Sequence, residues 1–411
     1  MANDYLLTIL KQIHHSGKLT RRDIAERLDM SFSLACKLTS ELTSMGLITN
    51  VGRSESEGGR PADLFALNPK AGYMIGLEIE STFQKAVVVN LAGEIVSSLT
   101  ESTQLVADRE IVLNYLESLV ARVLFHAELQ SAPILGLGVG LWALVDSING
   151  TIDYWTESPG WSTTWKDFPL RQALVSRFSW HHVVIDDIVR MFGLAEANFG
   201  NHRQNDEDFL FVLADSGIGM AIMINDMPYI GESHIAGELG HITIGIGTTP
   251  CGCGNIGCLE TLVSTNAILE RVHQRINESP YLETTLPYNN QVLTILDVIK
   301  GGESGDKLAY QILTQAGEYL GKGLALVLNL LGPQLVVVGG ILATSHPFLD
   351  AVKRMIKLQA LNKVSSDLRI VESQLGELAG ACGAASQVLF ELFQPGENNI
   401  ISSYQHGKNN S

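Results

Sequence analysis

The segment between residues 237 and 260 constrains the fold of this chain more than any other. It contains one histidine and three closely spaced cysteines, which are His241, Cys251, Cys253 and Cys258. Three thiolates and one imidazole form the ligand set of a closed, four-coordinate structural zinc site, in which no position stays open for water. Glycines between the cysteines allow the backbone to turn tightly around one ion. A disulfide or unrelated buried cysteines remain the alternatives to this zinc site.

Two carboxylates flank these four residues. Glu238 precedes His241 by three residues, and Glu260 follows Cys258 by two. A metal-held loop would fix both carboxylates, and rigid acceptors of this kind suit hydrogen bonds from the hydroxyl groups of a polyol or sugar. The alternative is that both are solvated acids on an exposed loop. The sequence therefore indicates a candidate sugar site beside the candidate metal site.

The fixed positions of this segment resemble the signature of the ROK family, which comprises repressors, open reading frames and sugar kinases. The signature aligns with this segment without insertions or deletions. The matching residues are Glu238, Gly240, His241, Cys251, Cys253, Gly254, Gly257, Cys258 and Glu260. The resemblance implies an α/β chain with the two-lobed, actin-like fold of a sugar kinase and a structural zinc on the four ligands named above. It also implies that Glu238, His241 and Glu260 contact a sugar.

Charge is distributed unevenly along the 411 residues. The whole chain carries a formal charge of −16, whereas residues 1–70 contain nine lysines and arginines against eight acids. Residues 1–70, which we call the head, are almost neutral, and the acidic residues lie in the rest of the chain. The head can therefore approach phosphate groups, although the charge of the whole chain would repel them. The N-terminus lacks a basic and apolar leader, and no apolar run reaches membrane-spanning length. We expect a cytoplasmic protein with no membrane partner.

The first 46 residues predict three short helices. Apolar residues at helical spacing fill positions 4–15, and Thr20 with Asp23 forms a capping-box pattern for a second helix. Ser31 is a good N-cap for a third helix that ends at Gly46. This is the spacing of a helix-turn-helix, although a generic three-helix bundle fits the same residues.

The third helix carries small, hydrogen-bonding or basic residues at the positions expected to face outward, as a helix in the major groove of DNA requires. The candidate DNA-binding residues on it are Ser33, Lys37, Thr39 and Ser40.

A polar hairpin follows the third helix and contains Gly58, Gly59, Arg60 and Pro61. A slim cationic tip can enter the narrow minor groove of A·T-rich DNA, so Arg60 is a further candidate DNA contact. An ordinary flexible hairpin is the alternative. The run from Gly58 to Asn68 resembles the wing of ROK repressors, and the kinases of the family lack this head.

The resulting organisation places a winged helix-turn-helix domain at residues 1–70. We expect a first actin-like lobe at residues 71–190, completed by a C-terminal helix at 377–392. The second lobe is expected at 191–376 and contains the zinc loop. The polar, Asn- and Ser-rich residues 393–411 predict a disordered tail.

Catalytic positions depart from the pattern of the family's kinases. Glu78 to Thr82 replace the glycine-containing phosphate loop, and Asp215 to Gly219 replace a second Gly-rich motif. Alignment from Glu196 places Ile188 where the kinases have their catalytic aspartate, and isoleucine cannot accept a proton. A shift by one residue would instead restore Asp187 as the base. We therefore expect no enzymatic activity.

These features predict a sugar-responsive transcriptional regulator, a repressor of carbohydrate-metabolism genes. It would bind a double-stranded DNA operator as a homodimer or a dimer of dimers. A sugar or sugar phosphate would bind near Asp187, Glu238, His241 and Glu260 without being phosphorylated. The alternative function is an active ATP-dependent sugar kinase with an appended DNA-binding domain.

Overall fold

The computed structural model describes residues 2–54, 61–80, 83–102, 108–155, 165–180, 182–201, 207–245, 247–279, 283–287, 292–396 and 399–407. The chain divides into two compact units, Met1–Met191 with Leu378–Ser411, and Phe192–Glu377. Within the described ranges, no helix has both the length and the hydropathy needed to cross a membrane.

The N-terminal part of the first unit combines three helices with a small antiparallel sheet. The helices are α1 (Ala2–Ser16), α2 (Arg21–Arg27) and α3 (Phe32–Met45). The strands are β1 (Leu19–Thr20), β2 (Ile48–Arg53) and β3 (Asp63–Leu67), arranged in the order β1-β3-β2. The hairpin of β2 and β3 distinguishes this region from a plain three-helix bundle.

Local hydrogen bonds set the ends of these helices. The Thr20 hydroxyl accepts from the Asp23 backbone N–H, and the Asp23 carboxylate accepts from the Thr20 N–H at 2.8 Å. Ser31 accepts from the Leu34 N–H at the start of α3, and Gly46 ends that helix with a left-handed φ of 79°. The predicted caps at Thr20, Ser31 and Gly46 are confirmed.

A five-stranded sheet forms the centre of the first unit, in the order β10-β7-β4-β5-β6. Its strands are β4 (Tyr73–Ile79), β5 (Phe83–Asn90), β6 (Ile95–Ser102), β7 (Ile134–Leu141) and β10 (Val183–Asp187). A two-stranded hairpin of β8 (Ala143–Asp146) and β9 (Thr151–Trp155) adjoins it, with helices α4 (Arg109–His126) and α5 (Leu170–Phe178). Strands β4, β7 and β10 are parallel, so their carboxyl ends lie at one edge.

The helix formed by Ala379–Leu392, α13 in our numbering, packs on strands β4 and β7 at backbone distance. A methyl group added to Gly76 would lie 1.9 Å from the Ala381 carbonyl oxygen, and one added to Gly138 would lie 1.9 Å from that of Ala384. The strands therefore need glycine at these two positions, because the Cβ atom of any other residue would overlap the backbone of the helix.

The second unit is built on a sheet of β11 (Phe209–Ala214), β12 (Ile218–Ile224), β13 (Met227–Pro228), β14 (Leu335–Gly339) and β15 (Arg369–Glu372). Helix α6 (Ile188–Phe199) leads into this unit. The remaining helices are α7 (Glu260–Val263), α8 (Thr265–Glu278), α9 (Ile295–Glu303), α10 (Lys307–Leu331), α11 (His346–Gln359) and α12 (Asn362–Ser365). Two 3-10 turns cover Leu239–His241 and Ile341–Thr344.

The two large sheets have the same topology. Numbered within its own unit, each sheet has the strand order 3-2-1-4-5, with strands 1 to 3 antiparallel and strands 4 and 5 parallel to strand 1. A duplicated lobe of this kind is the architecture that the sequence resemblance implied. Each parallel edge brings the loops after its strands together, which is where open α/β sheets bind ligands.

The C-terminal segment corrects the prediction of a disordered tail at residues 393–411. Residues Ile400–Gly407 form a helix, α14, with Ile400 and Ile401 completely buried. The Tyr404 hydroxyl donates a hydrogen bond to the Ala71 carbonyl, and the Phe393 ring meets the His14 ring of α1 edge to face. The two buried isoleucines, the hydrogen bond and the ring contact explain why the segment folds although its composition is polar. Residues 408–411 lie outside the described residues.

Candidate metal centre and ligand site

Residues 237–245 and 247–260 belong to the second unit and contain the candidate metal ligands. Cys251 donates its backbone N–H to the Asn255 carbonyl at 2.8 Å, and short bridges pair Thr243 with Cys258 and Pro250 with Ile256. Gly254 and Gly257 have φ values of 94° and 74°, which other residues rarely adopt. The glycines therefore allow the loop to close on itself.

This loop brings the four predicted metal ligands together. The donor atoms of His241, Cys251, Cys253 and Cys258 all lie within 4.8 Å of one another. Cys253 Sγ and Cys258 Sγ are 3.7 Å apart, and Cys251 Sγ is 3.6 Å from His241 Nδ1. A tetrahedral ion with metal–sulfur bonds of about 2.3 Å separates its sulfur ligands by about 3.8 Å. The cluster can hold one four-coordinate divalent cation, and the cysteines are not paired as a disulfide.

The chemistry of the donor set also fits a cation. Burial raises the pKa of the Cys258 thiol to about 12 and raises the pKa of Cys251 as well. Burial acts in the same direction on Cys253, but backbone and thiol hydrogen bonds outweigh it and leave that pKa lowered. Three neighbouring thiolates repel one another, so a bound cation is what would favour the fully ionised set.

The two flanking carboxylates are held by this same loop. Glu238 Oε2 lies 3.7 Å from His241 Nε2, the ring nitrogen opposite the one that faces Cys251. A carboxylate in that place helps to orient a metal-bound imidazole. Glu260 Oε2 accepts a hydrogen bond from the Ile218 backbone N–H at 3.0 Å, at the start of β12. Both acids are thus tied to the second unit, and neither is a freely solvated loop acid.

Two glycines keep the loop close to strand β12. The Gly237 carbonyl accepts from the Met220 N–H at 3.1 Å, and a methyl group on Gly237 would lie 2.0 Å from the Met220 carbonyl oxygen. A methyl group on Gly240 would lie 2.2 Å from the Ile218 carbonyl oxygen. The structure therefore brings Glu238, His241 and Glu260 to one end of β12.

Asp187, the fourth predicted sugar contact, belongs to the first unit. It ends β10, and its Oδ1 accepts hydrogen bonds from the backbone N–H groups of Val189 and Arg190 in the first turn of α6. Its neighbour Asp186 forms a buried ion pair with Arg190. Ile188 is completely buried. Asp186 is buried and Ile188 has no carboxylate. Asp187, which is half-buried, therefore offers the accessible carboxylate at the carboxyl edge of the sheet.

The sequence analysis did not anticipate the role of Asp215. Its Oδ1 accepts from the Ser216 N–H at 2.8 Å, and its Oδ2 accepts from the Ile341 N–H at 2.9 Å. Ser216 follows β11 and Ile341 follows the parallel strand β14, so one carboxylate joins the two neighbouring loops. An aspartate directly after a buried strand, with Gly339-Gly340 after another, was the signal available in the sequence.

Strand β4 carries another internal carboxylate near its carboxyl end. Glu78 is almost fully buried, and its Oε1 lies 2.9 Å from Lys85 Nζ on the neighbouring strand. Ser81 and Thr82, the end of the predicted substitute for a phosphate loop, lie outside the described residues.

On α3, three of the four candidate DNA contacts face solvent: Ser33, Lys37 and Ser40. Thr39 does not, which corrects its assignment as an outward residue. Its side chain is fully buried, donates to the Ala35 carbonyl and accepts from Arg21 Nε at 2.9 Å. Arg60 lies outside the described residues.

Comparison with known proteins places this fold and this loop in a family. Residues 74–390 match the sequence profile of the ROK family. The chain belongs to the ROK family. This match includes the whole metal loop and all but the first residue of the two large sheets, so the resemblance inferred from the signature between Glu238 and Glu260 is confirmed.

Relatives of the chain include repressors that align over nearly their whole length. The xylose repressor of Bacillus subtilis (strain 168) is 25% identical over 387 residues, covering 93% of this chain and 94% of the repressor. The DNA-binding transcriptional dual regulator NagC of Escherichia coli (strain K12) is 28% identical over 372 residues, covering 89% and 88%.

Solved structures support the same fold. A ROK family transcriptional regulator, a homologue of the Escherichia coli MLC protein, matches with a TM-score of 0.80 at 24% identity and covers 95% of this chain and 97% of its own. A ROK family glucokinase from Streptomyces griseus matches with a TM-score of 0.65 at 24% identity, covering 99% of the kinase but 77% of this chain. About a quarter of this ROK chain thus has no counterpart in that kinase.

Proposed function

We propose that this ROK protein is a sugar-responsive transcriptional repressor of carbohydrate-metabolism genes. The observation that carries the proposal is the alignment of about nine-tenths of the chain with repressors named for xylose and for N-acetylglucosamine. Alignments that cover 93% and 89% of the chain must include part of residues 1–70, whereas the glucokinase match covers 77% of the chain. The helix-turn-helix head is therefore the part that separates this chain from a kinase of the same fold.

The head has the features needed to bind double-stranded DNA. Helix α3 exposes Ser33, Lys37 and Ser40, and the hairpin of β2 and β3 follows it as a wing. We assign α3 to the major groove and Arg60 to the minor groove beside it. Thr39 instead links α3 to α2 through Arg21, whose guanidinium lies 4.7 Å from the centre of the Phe65 ring on β3. A homodimer would present two such heads to a pseudo-palindromic operator.

The metal that fits the four-residue cluster is zinc, in a structural role. Three thiolates and an imidazole suit its preference for sulfur and nitrogen ligands, and four protein ligands leave no position for a reacting water. The ion would hold His241 and, through the loop, keep Glu238 and Glu260 in place. These residues, with Asp187, are our proposed contacts for a sugar or sugar phosphate.

The site favours binding without phosphoryl transfer. Ile188 is buried and cannot remove a proton from a sugar hydroxyl. The carboxylate of Asp215 already accepts from the backbone N–H groups of Ser216 and Ile341, and its negative charge repels a nucleotide phosphate. Retention of kinase activity is the competing function, since Asp187 remains a carboxylate near the same edge.

Sugar phosphorylation should therefore be absent or weak. Loss of a general base lowers a rate by about 10²–10⁴, and the altered phosphate loops act in the same direction. A coupled assay with xylose, glucose, N-acetylglucosamine and ATP measures this directly. Turnover at the 1–100 s⁻¹ that is roughly typical of kinases would contradict the prediction. If Asp187→Asn abolished this turnover, and Glu270→Gln on the exposed side of α8 did not, Asp187 would be identified as a catalytic base.

The test of the regulator hypothesis is thermodynamic linkage between sugar and DNA. An effector that releases the operator should weaken DNA binding by roughly 5–150-fold, and the operator should weaken sugar binding by the same factor. Operators selected from random DNA can be titrated by fluorescence anisotropy with and without each sugar, and each sugar can be titrated by calorimetry with and without operator. We expect release, with xylose and N-acetylglucosamine as the first sugars to test.

Two variants make this test specific. Glu238→Gln removes a proposed sugar contact, so it should abolish the effect of the sugar while leaving basal DNA affinity intact. Glu270→Gln, a matched change in the same unit, should preserve both. If every sugar that binds gives the same dissociation constant with and without operator, the lobes do not sense that sugar and the proposed function fails.

A further inference from the structure

The proposed function names either a sugar or a sugar phosphate as the effector, and the two differ in charge. Proteins bind a phosphate group through arginine, lysine and backbone N–H groups, above all those in the first turn of a helix. The loops after parallel strands lie at the carboxyl edge of each large sheet and contain N–H groups of this kind. The hydrogen-bond partners of these N–H groups therefore indicate which effector each edge can accept.

In the first unit, a carboxylate of the chain itself occupies the start of α6. Asp187 Oδ1 accepts from the backbone N–H groups of Val189 at 2.8 Å and of Arg190 at 3.4 Å, in the first turn of the helix. The Asp187 N–H donates in turn to Asp186 Oδ1 at 2.8 Å. The place where a helix would bind a phosphate group is thus already filled by an aspartate.

In the second unit, two further carboxylates accept from backbone N–H groups. Asp215 accepts from the Ser216 N–H after β11 and from the Ile341 N–H after β14, at 2.8 Å and 2.9 Å. Glu260 accepts from the Ile218 N–H at the start of β12, at 3.0 Å. These loops therefore present negative charge where a phosphate-binding loop presents N–H groups.

Two basic side chains of the first sheet and its following helix are also engaged in ion pairs. Arg190 pairs with Asp186, and the two side chains are 3% and 1% exposed. Lys85 pairs with Glu78, and the two side chains are 15% and 2% exposed. The strand register places Glu78 and Asp186 in one row across the sheet, two strands apart. A phosphate group that drew either cation away would leave a buried carboxylate without its partner, which is costly.

We propose that the effector is an uncharged sugar, and that Asp187, Asp215 and Glu260 exclude its phosphorylated form. The inference rests on the proposed function, because it concerns the ligand of that function. The hydroxyl groups of an uncharged sugar donate hydrogen bonds to carboxylates without charge repulsion. A phosphate monoester carries a charge of about −1.5 to −2 at pH 7 and is repelled by neighbouring carboxylates. The repressor would then respond to the sugar before a kinase acts on it.

Calorimetric titration of the full chain without DNA is the test. Xylose, glucose and N-acetylglucosamine are each compared with the phosphate monoester at the terminal hydroxyl group. For the sugar that binds, the monoester should bind on the order of 100-fold more weakly. Raising the ionic strength from about 0.1 M to about 1 M shortens the screening length from about 10 Å to about 3 Å. This change should strengthen binding of the monoester and leave binding of the free sugar unchanged.

Asp215→Asn tests the role of the charge directly. It removes one negative charge and leaves one of the two N–H groups without its acceptor. Affinity for the monoester should therefore rise about tenfold, while affinity for the free sugar, which also reports that the variant is folded, should not change. Asp367→Asn is the matched control, since it removes the same charge at an exposed position before the amino end of β15. It should leave both affinities as in the wild type.

The outcomes separate this inference from the proposed function. A monoester that binds the wild type within about tenfold of its parent sugar overturns the inference, even if that ligand releases DNA. Absence of binding by all three free sugars overturns it as well, and equal gains in Asp215→Asn and Asp367→Asn overturn the role of Asp215. Selective binding of a free sugar supports the inference even if that sugar leaves DNA affinity unchanged, in which case the proposed function fails alone.

Discussion

Cys253→Ser should reduce bound zinc from one ion per chain to almost none and destabilise the second unit on the order of 4 kcal/mol. Cys253 is the exposed member of the three cysteines, so serine at this position creates no cavity in the core. The effect would come from loss of the metal, whose binding free energy contributes to folding of the loop when four ligands meet one ion.

Metal content measured by mass spectrometry and unfolding followed by far-ultraviolet circular dichroism check this result. Cys36→Ser, a change at a half-buried cysteine outside the cluster, is the matched control and should retain the ion. A chelator should lower the stability of the wild type and of Cys36→Ser, but should have little further effect on Cys253→Ser. Wild-type stability in a metal-free sample would show that the cluster is not a structural zinc site.

Loss of the ion should also weaken sugar binding, since the same loop holds both flanking carboxylates. Glu238 lies beside the His241 ring, and Glu260 begins α7 two residues after Cys258. The loop rests on β12 through Gly237 and Gly240, where no side chain could be accommodated. The metal is therefore expected to act on function by fixing acceptor positions, with no part in a reaction.

Features encoded within a few residues could be read from the sequence. The capping box at Thr20, the cap at Ser31 and the stop at Gly46 depend on neighbouring residues alone, and all three occur in the structure. The metal cluster was equally accessible, because the spacing of its ligands restricts how the loop can fold. The family signature extends over the same short segment, which explains why fold and site could be predicted together.

Features that depend on distant partners were less accessible. Thr39 was assigned to the outer face of α3 from its polarity, but Arg21 and the Ala35 carbonyl satisfy its hydroxyl inside the head. The tail was judged by composition, whereas the isoleucines at 400 and 401 are completely buried and fix α14 to the first unit. The role of Asp215 depends on its hydrogen bond from the Ile341 N–H, which lies more than a hundred residues away in sequence. In each case the deciding contact comes from another element.

The same limit applies to the glycines of the first sheet. The sequence shows a glycine-rich strand at 134–141 and a small-residue helix at 379–386, but not that the two meet. The structure places the Ala384 carbonyl against Gly138 and the Ala381 carbonyl against Gly76. Both obstacles are helix backbone, which cannot rotate away as a side chain could. The close approach of α13 therefore requires glycine at the facing positions of both β4 and β7.

Gly138→Ala should consequently destabilise the first unit by about 3 kcal/mol, the upper part of the range for overpacked cores. The added methyl group would lie 1.9 Å from the Ala384 oxygen and 2.5 Å from its carbonyl carbon, so strand and helix must separate. All five tryptophans lie between residues 142 and 180, so tryptophan fluorescence during urea unfolding reports on this unit and not on Phe192–Glu377. The midpoint should fall, with a similar loss in Gly76→Ala.

Gly396→Ala provides the matched control for this change. A methyl group there would meet nothing within 4 Å, and Gly396 is not among the glycines with positive φ. Alanine at such a position should be neutral or stabilise slightly, because it restricts the unfolded chain. Far-ultraviolet circular dichroism follows both units, so a lower midpoint in tryptophan fluorescence, with the transition of Phe192–Glu377 unchanged in circular dichroism, assigns the loss of stability to the first unit. Equal midpoints for Gly138→Ala and Gly396→Ala would mean that the helix can move aside at little cost, and that close packing at Gly138 is not a condition for this fold.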